Sequence, residues 1–373
     1  DRVLGGGLVP GSVVLLGGDP GVGKSTLLLQ VAAALPGDVR ALYITGEEST
    51  KQVAERGRRL GVADSAIRLG AETRVEQVLA TAAAARAGVV VIDSIQTMAV
   101  AEIASAPGSV TQLREAVAAL VRYAKRKEVT ILLIGHVTKE GVIAGPRVVE
   151  HMVDTVLYFE NDPGSRFSIV RAVKNRFGAS NELGVFAMTG EGFREVRNPS
   201  AMFLSRTTAA DPGSAVTVAW EGSRPLLIEV QALVTDAAGS QPRRLANGMD
   251  QNRLALLLAV LQRHGQLSLA GQDVFVNVVG GLRVNEPAAD LPAVLAAVSS
   301  FRDRPFDGAT VSFGELGLSG EVRPVRFGEE RIAEAAKQGY RHAIVPGANA
   351  PKRAVDGLRV HAVERLAEAL ELL

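Results

Sequence analysis

The segment GGDPGVGKST at residues 17–26 constrains the fold of this chain more than any other stretch. Gly18 is followed by four residues and then by Gly23, Lys24 and Ser25. The apolar run SVVLL precedes this pattern, and LLLQVAAAL follows it with helical spacing. Strand, glycine loop and helix in that order form a phosphate-cradling P-loop. Several backbone amides must converge on one anion, so side chains are absent where the loop wraps, and the next helix aims its positive end at the charge. In this reading Gly18, Asp19, Pro20, Gly21, Val22 and Gly23 enclose the phosphates. Lys24 bridges the β- and γ-phosphates, the Ser25 hydroxyl takes Mg²⁺, and Thr26 lies toward the α-phosphate. ATP or ADP with Mg²⁺ are the expected cofactors.

A P-loop needs a sheet behind it. SVVLLGG, ALYITGEE, VVVIDSIQ and TILLIGHV are β-branched runs of strand length, each separated from the next by room for a crossover helix. That is a βαβ series, an α/β fold with a mostly parallel sheet covered on both faces. Capping boxes are expected at Ser49 with Gln52 and at Ser109 with Gln112.

Ligands of such sheets bind beyond the carboxyl ends of the strands. Asp93 ends VVVID there and is the expected carboxylate on the Mg²⁺ side. Glu47 and Glu48 follow ALYIT on the same edge, and Glu47 is the expected acceptor for an attacking water. Glu48 directly precedes the Ser49 cap and serves the helix dipole. Gln96 and His136 follow the third and fourth of these strands and are candidates for sensing a γ-phosphate. The loops beyond them, TMAVAEIASAPGS and TKEGVIAGPRVVEH, carry Lys139 and Arg147. They are expected to be mobile and to engage nucleic-acid phosphates with little sequence preference.

From Val156 onward VLYFE, FSIVRAVKN and VFAMTGEGFREV read as hairpins that extend the sheet. The stretch SRTTAADPGSA loses apolar periodicity and is the expected linker, residues 205–215, between a first domain at 1–204 and a second at 216–373. The second half mixes hairpins with helices near Asn252–Arg263, Leu291–Phe301 and after Glu329, an α+β pattern. At 373 residues and 47% hydrophobic content the chain carries two cores. A formal net charge of +1 confines any nucleic-acid surface to a local patch. The chain has no cysteine, which removes disulfides, thiolate zinc sites and thiol chemistry and fits a reducing cytoplasm. No apolar run approaches about 18 residues, so neither a membrane span nor a signal peptide is expected. An opening without Met, already inside a patterned segment, suggests a trimmed terminus.

LGGGLVPGSVVLLGGDPGVGKSTLLLQ, YITGEES, VVVIDSIQT, SAPGSV, GHVTKEG, EHMVDTVLYFE and VKNRFG together resemble bacterial RadA, also called Sms, a family of RecA-like DNA-repair ATPases. The resemblance covers nearly the whole chain. It implies a RecA-like motor core, single-stranded DNA and branched recombination intermediates as ligands, the RecA recombinase as partner, and a ring of copies, hexameric as in DnaB-like helicases. It also implies that Lys174 and Arg176 in VKNRFG act on the γ-phosphate held by the next subunit. Alternation along a strand places both on one face. Members usually begin with a four-cysteine zinc finger, which this sequence lacks, either trimmed or never present.

The second half resembles the proteolytic domain of Lon through FGELGLSGEVRPV and EAAKQGYRHAIVP. That family uses a Ser and Lys dyad. Here the serine position matches Ala288, and the lysine position matches Arg331 or Glu329. Arginine holds its proton above about pH 12 and is no base. A silent peptidase-like scaffold is expected, with Arg243 and Arg244, Arg302 and Arg304, and Lys352 and Arg353 as candidate DNA-channel residues. Two other readings stay open: a nucleotide-controlled switch or scaffold without translocation, and an ATP-dependent protease, which the missing dyad disfavours.

Overall fold

The computed structural model describes residues 1–63, 65–136, 148–161, 167–180, 182–196, 198–204, 211–237, 239 and 241–373. The chain divides into two compact units, Asp1–Arg197 and Asn198–Leu373. This division falls earlier than the expected linker. Phe203 is fully buried, and its carbonyl accepts from the Glu229 amide. The Ser200 hydroxyl oxygen accepts from the Leu227 amide, so the segment before residue 205 belongs to the second unit. Most of the expected linker, 205–210, lies outside the described residues.

The first unit is a nine-stranded sheet in the order β3-β2-β4-β5-β1-β6-β7-β8-β9. β1 (Val13–Gly18), β2 (Ala41–Thr45), β3 (Arg68–Ala71), β4 (Val89–Asp93), β5 (Thr130–Ile134) and β6 (Thr155–Asn161) run parallel. β7 (Phe167–Asn175), β8 (Leu183–Thr189) and β9 (Gly192–Glu195) extend it antiparallel. The central strands are apolar on both faces because helices cover both. Val13 and Leu15 pack with α3 (Val75–Ala85) and α4 (Val110–Lys127). Val14, Leu16 and Tyr43 face the other side with α1 (Lys24–Ala33) and α2 (Thr50–Arg59).

Ser49 and Gln52 form the expected capping box on α2. At α4 only half of the expected box is present. Ser109 caps the Gln112 amide, but the Gln112 side chain turns to the preceding loop. It accepts from Val100 N and donates to the carbonyls of Val100, Ile103 and Ser105. The loop expected to be mobile is thereby held by a buried amide, and Glu76 adds a bond to Ala101 N.

The second unit has a seven-stranded mixed sheet, β12-β13-β11-β10-β14-β17-β18. Its strands are β10 (Ser214–Glu221), β11 (Arg224–Asp236), β12 (Arg244–Asn247), β13 (Gln272–Val278), β14 (Thr310–Ser312), β17 (His342–Pro346) and β18 (Arg359–Val363), with β15 (Glu315–Leu316) and β16 (Val322–Arg323) as a separate hairpin. Helices α6 (Gln251–His264), α7 (Asp290–Arg302) and α9 (Leu366–Glu371) bury one face. α8 (Gly328–Lys337) packs on the other through Ile332 and Ala335. The first unit also contains a short helix, α5 (Val148–Met152), just before β6.

Candidate nucleotide site

β1 ends at Gly18 and α1 begins at Lys24, so the glycine loop bridges a parallel strand and a helix N-terminus. Two glycines are dictated by close packing. A Cβ on Gly18 would come within 2.5 Å of the Phe159 carbonyl, and one on Gly23, at φ 104°, within 2.7 Å of the Phe193 ring. Phe159 and Phe193 meet edge to face at 5.3 Å beneath the loop. The side chain of Gln30 bonds both backbone groups of Phe193, tying α1 to β9.

Lys24 is buried, and its ammonium donates to the carbonyls of Gly18 and Asp19, each at 2.7 Å. Burial lowers its pKa, while Asp93, Asp19 and Glu47 oppose that shift. The charges of those three acids thus act on one buried cation. The cradle and donor set fit a magnesium nucleotide: a buried ammonium for phosphate, and a hydroxyl at Ser25 with a carboxylate at Asp93 for a hard cation.

Asp93 is 6% exposed at the end of β4. The Tyr43 hydroxyl donates to its Oδ2 at 2.6 Å. Burial, then the Asp93 charge, pushes the phenol far above its ordinary range. The following peptide, Asp93–Ser94, is cis. Ser94 donates to Glu47 Oε1, and His136 Nε2 stands 3.2 Å from the same oxygen. Gln96 Nε2 donates to the His136 carbonyl at 3.2 Å. Gln96 Oε1 and His136 Nδ1 are buried and have no partner among the described residues. The structure thus brings Glu47, Asp93, Gln96 and His136 to the P-loop edge. Glu48 is elsewhere engaged, with both oxygens on Arg56.

Lys174 and Arg176 lie on the opposite edge. Val14 pairs with Thr155, and Thr155 with Asn175, so β7 ends where β1 begins. The two cations differ. A bulge between Val156 and Leu157 interrupts the pairing beside Lys174. Lys174 Nζ donates to the carbonyls of Glu150, His151 and Val153 around the end of α5. Its pKa is lowered, first by burial and next by Arg176. Arg176 keeps 56% of its side chain exposed and reaches Asp154 at 3.3 Å. Lys139 and Arg147 lie outside the described residues.

Sequence reasoning passed over Tyr43, Ser94 and Arg56, and gave Gln112 only a capping role. Tyr43 carried one signal: a polar-tipped residue inside a strand buried along its whole length must find a partner. In the second unit Ala288 is buried, and Arg331, 1% exposed, grips Glu286 through two nitrogens at 2.9 and 2.6 Å. Arg331 also donates to the carbonyls of Arg326 and Val218. Of the candidate channel cations, Arg243 pairs with Asp273 at 3.0 Å, and Arg244 bonds the carbonyls of Leu269 and Gln272. Lys352 and Arg353 are exposed.

A parallel sheet whose edge gathers a glycine loop, a buried lysine, a hydroxyl and a strand-end aspartate defines the P-loop ATPase class, here in its RecA-like form. An AAA domain model matches residues 1–142, and a model for the ChlI subunit of Mg-chelatase matches residues 255–349. The chain is 59% identical to DNA repair protein RadA of Pseudomonas aeruginosa over its whole length, covering 82% of that protein. It is 56% identical to RadA of Escherichia coli, over 100% of this chain and 81% of the relative. RadA of Bacillus subtilis is 50% identical, over 99% of this chain and 81% of the relative. The chain belongs to the RadA family.

Proposed function

We propose that this protein is an ATP-driven motor that binds single-stranded DNA and moves branched intermediates during homologous recombination and DNA repair. It works as a homo-oligomeric, hexameric ring beside the RecA recombinase in the cytoplasm. The relatives named above are DNA repair proteins, and among the described residues no helix is long and apolar enough to cross a membrane. One observation carries the reading: Lys24, Asp93 and Glu47 share one edge of the sheet, and Arg176 stands on the opposite edge. An arginine so placed serves a neighbour's nucleotide, which makes hydrolysis a property of adjoining copies.

Bound Mg²⁺ would neutralise charge developing on the phosphates, held by Ser25 and Asp93. Lys24 would bridge the β- and γ-phosphates, and Glu47, steadied by Ser94 and His136, would take the proton of the attacking water. Gln96 and His136 each keep a buried polar atom without a partner among the described residues and would report the γ-phosphate to the adjoining loops. Lys139 and Arg147 would contact DNA phosphates. Lys174 would position the segment that carries Arg176. The peptidase-like body would be inactive, because Ala288 offers no hydroxyl and Arg331 is occupied by Glu286. It would serve assembly and DNA.

ATP turnover with and without single-stranded DNA, alongside the mass of the nucleotide-bound assembly, tests the proposal. DNA should raise turnover of the wild-type chain, and Lys24→Ala should abolish it with an unchanged circular dichroism spectrum. Turnover indifferent to DNA would leave a nucleotide-controlled scaffold instead.

A further inference from the structure

We infer that Tyr43 is a positioning residue for the metal side of the nucleotide site: its hydroxyl holds one oxygen of Asp93 so that the other faces the cation. The inference rests on the nucleotide reading above and adds a residue to it.

Tyr43 sits at the middle of β2 with no exposed surface. Its neighbour in the pairing register is Val91 of β4, two residues before Asp93, so the phenol extends along the sheet toward the strand end. There it donates to Asp93 Oδ2 at 2.6 Å. It is the one described side chain hydrogen-bonded to that carboxylate.

Phenylalanine would fill the same volume in the buried apolar cluster on this face, beside Val91, with no polar tip to satisfy. The hydroxyl is thus not required for packing. A carboxylate 6% exposed, with one oxygen fixed by a short bond, cannot turn freely, and its second oxygen keeps one direction. Partners that orient metal ligands typically matter by about 10- to 100-fold in metal affinity.

The test is Tyr43→Phe in the full chain, with a fluorescent ADP titrated in EDTA and again across a Mg²⁺ series. Affinity in EDTA should match the wild type, whereas the Mg²⁺ concentration that half-maximally tightens binding should rise about 10- to 100-fold. In an Asp93→Asn background the same substitution should add no further shift, since its route through the carboxylate is gone. An unchanged Mg²⁺ midpoint, or shifts that simply add in the double variant, would overturn the inference while leaving the nucleotide site standing. A wild-type chain whose ADP affinity ignores Mg²⁺ would overturn the site reading, and this inference with it.

Discussion

Glu48 lies with both carboxylate oxygens on Nη2 of Arg56, at 2.6 and 2.8 Å, and so the two consecutive acids after β2 are not interchangeable. Glu47 instead meets Ser94 and His136 beside the P-loop lysine. The pairing of Glu48 with α2 frees one acid for chemistry and assigns the other to structure.

Glu47→Gln should retain nucleotide binding and stop turnover, leaving ATP trapped, because the amide cannot take the water's proton. Glu48→Gln should keep turnover and lower the melting temperature slightly, as expected for a half-exposed ion pair worth at most about 1 kcal/mol. Single-turnover hydrolysis and thermal melts of both variants separate the roles. Reversed phenotypes would move the water-orienting acid to Glu48.

The parallel core was legible because strands buried on both faces read as near-continuous apolar runs, as β1, β2, β4 and β5 do apart from the terminal Thr45, Asp93 and Thr130. The strands that escaped notice, β3, β12 and β18, are all at sheet edges. An edge strand such as RLGA or RLAN keeps a solvated side, so its place comes from pairing with a neighbour rather than from its own pattern. The P-loop residues were legible from spacing alone. Arg56 and Ser94 were not, nor was the hold of Gln112 on the loop before α4, because each acts through a partner or a backbone group that composition does not mark. Lys174 and Arg176 read as an equivalent pair until the structure showed three carbonyls on one and an exposed guanidinium on the other.

Arg331, 1% exposed, is paired with Glu286, whose side chain is 24% exposed. Glu286→Gln leaves that cation without its counter-charge and should cost the second unit about 1–3 kcal/mol in denaturant unfolding, less than for a fully buried pair. Ala288→Ser supplies a hydroxyl but no base, so casein should remain intact. Casein cleavage by that variant would show that a proton acceptor other than Arg331 is present.

His361 gives the second unit a pH dependence. Partial burial, Arg359 and His342 hold its pKa below the ordinary histidine value. Its Nε2 lies 3.2 Å from His342 Nδ1, and Asp307 stands 3.8 Å from the far side of His342. The unfolded chain therefore takes up a proton before the folded chain does as pH falls. Stability is fully present above the unfolded pKa of about 6.5 and should decline as pH drops below it. Thermal melts between about pH 7.5 and 5.5 should show that slope, and His361→Gln should flatten it. An identical slope in the variant would assign the dependence to another group.

Arg176 offers the decisive test of the ring, since it sits at the sheet edge opposite its own P-loop. Arg176→Ala should lower hydrolysis by about 10³-fold or more if the guanidinium stabilises a neighbour's transferring phosphate. Lys24→Ala should be inactive for the complementary reason. Mixed in one assembly, the two variants create some interfaces where a sound P-loop faces a sound arginine, and those should recover part of the ATPase activity. An arginine acting within its own chain permits no such rescue, because every subunit would then carry one lesion at its own site. Lys174→Ala should behave differently from Arg176→Ala. Loss of its three carbonyl contacts frees the end of α5 and should lower the melting temperature along with activity. No recovery in mixtures shown by mass to co-assemble would remove Arg176 from the chemistry and leave its bond to Asp154 as a fastening of the sheet edge.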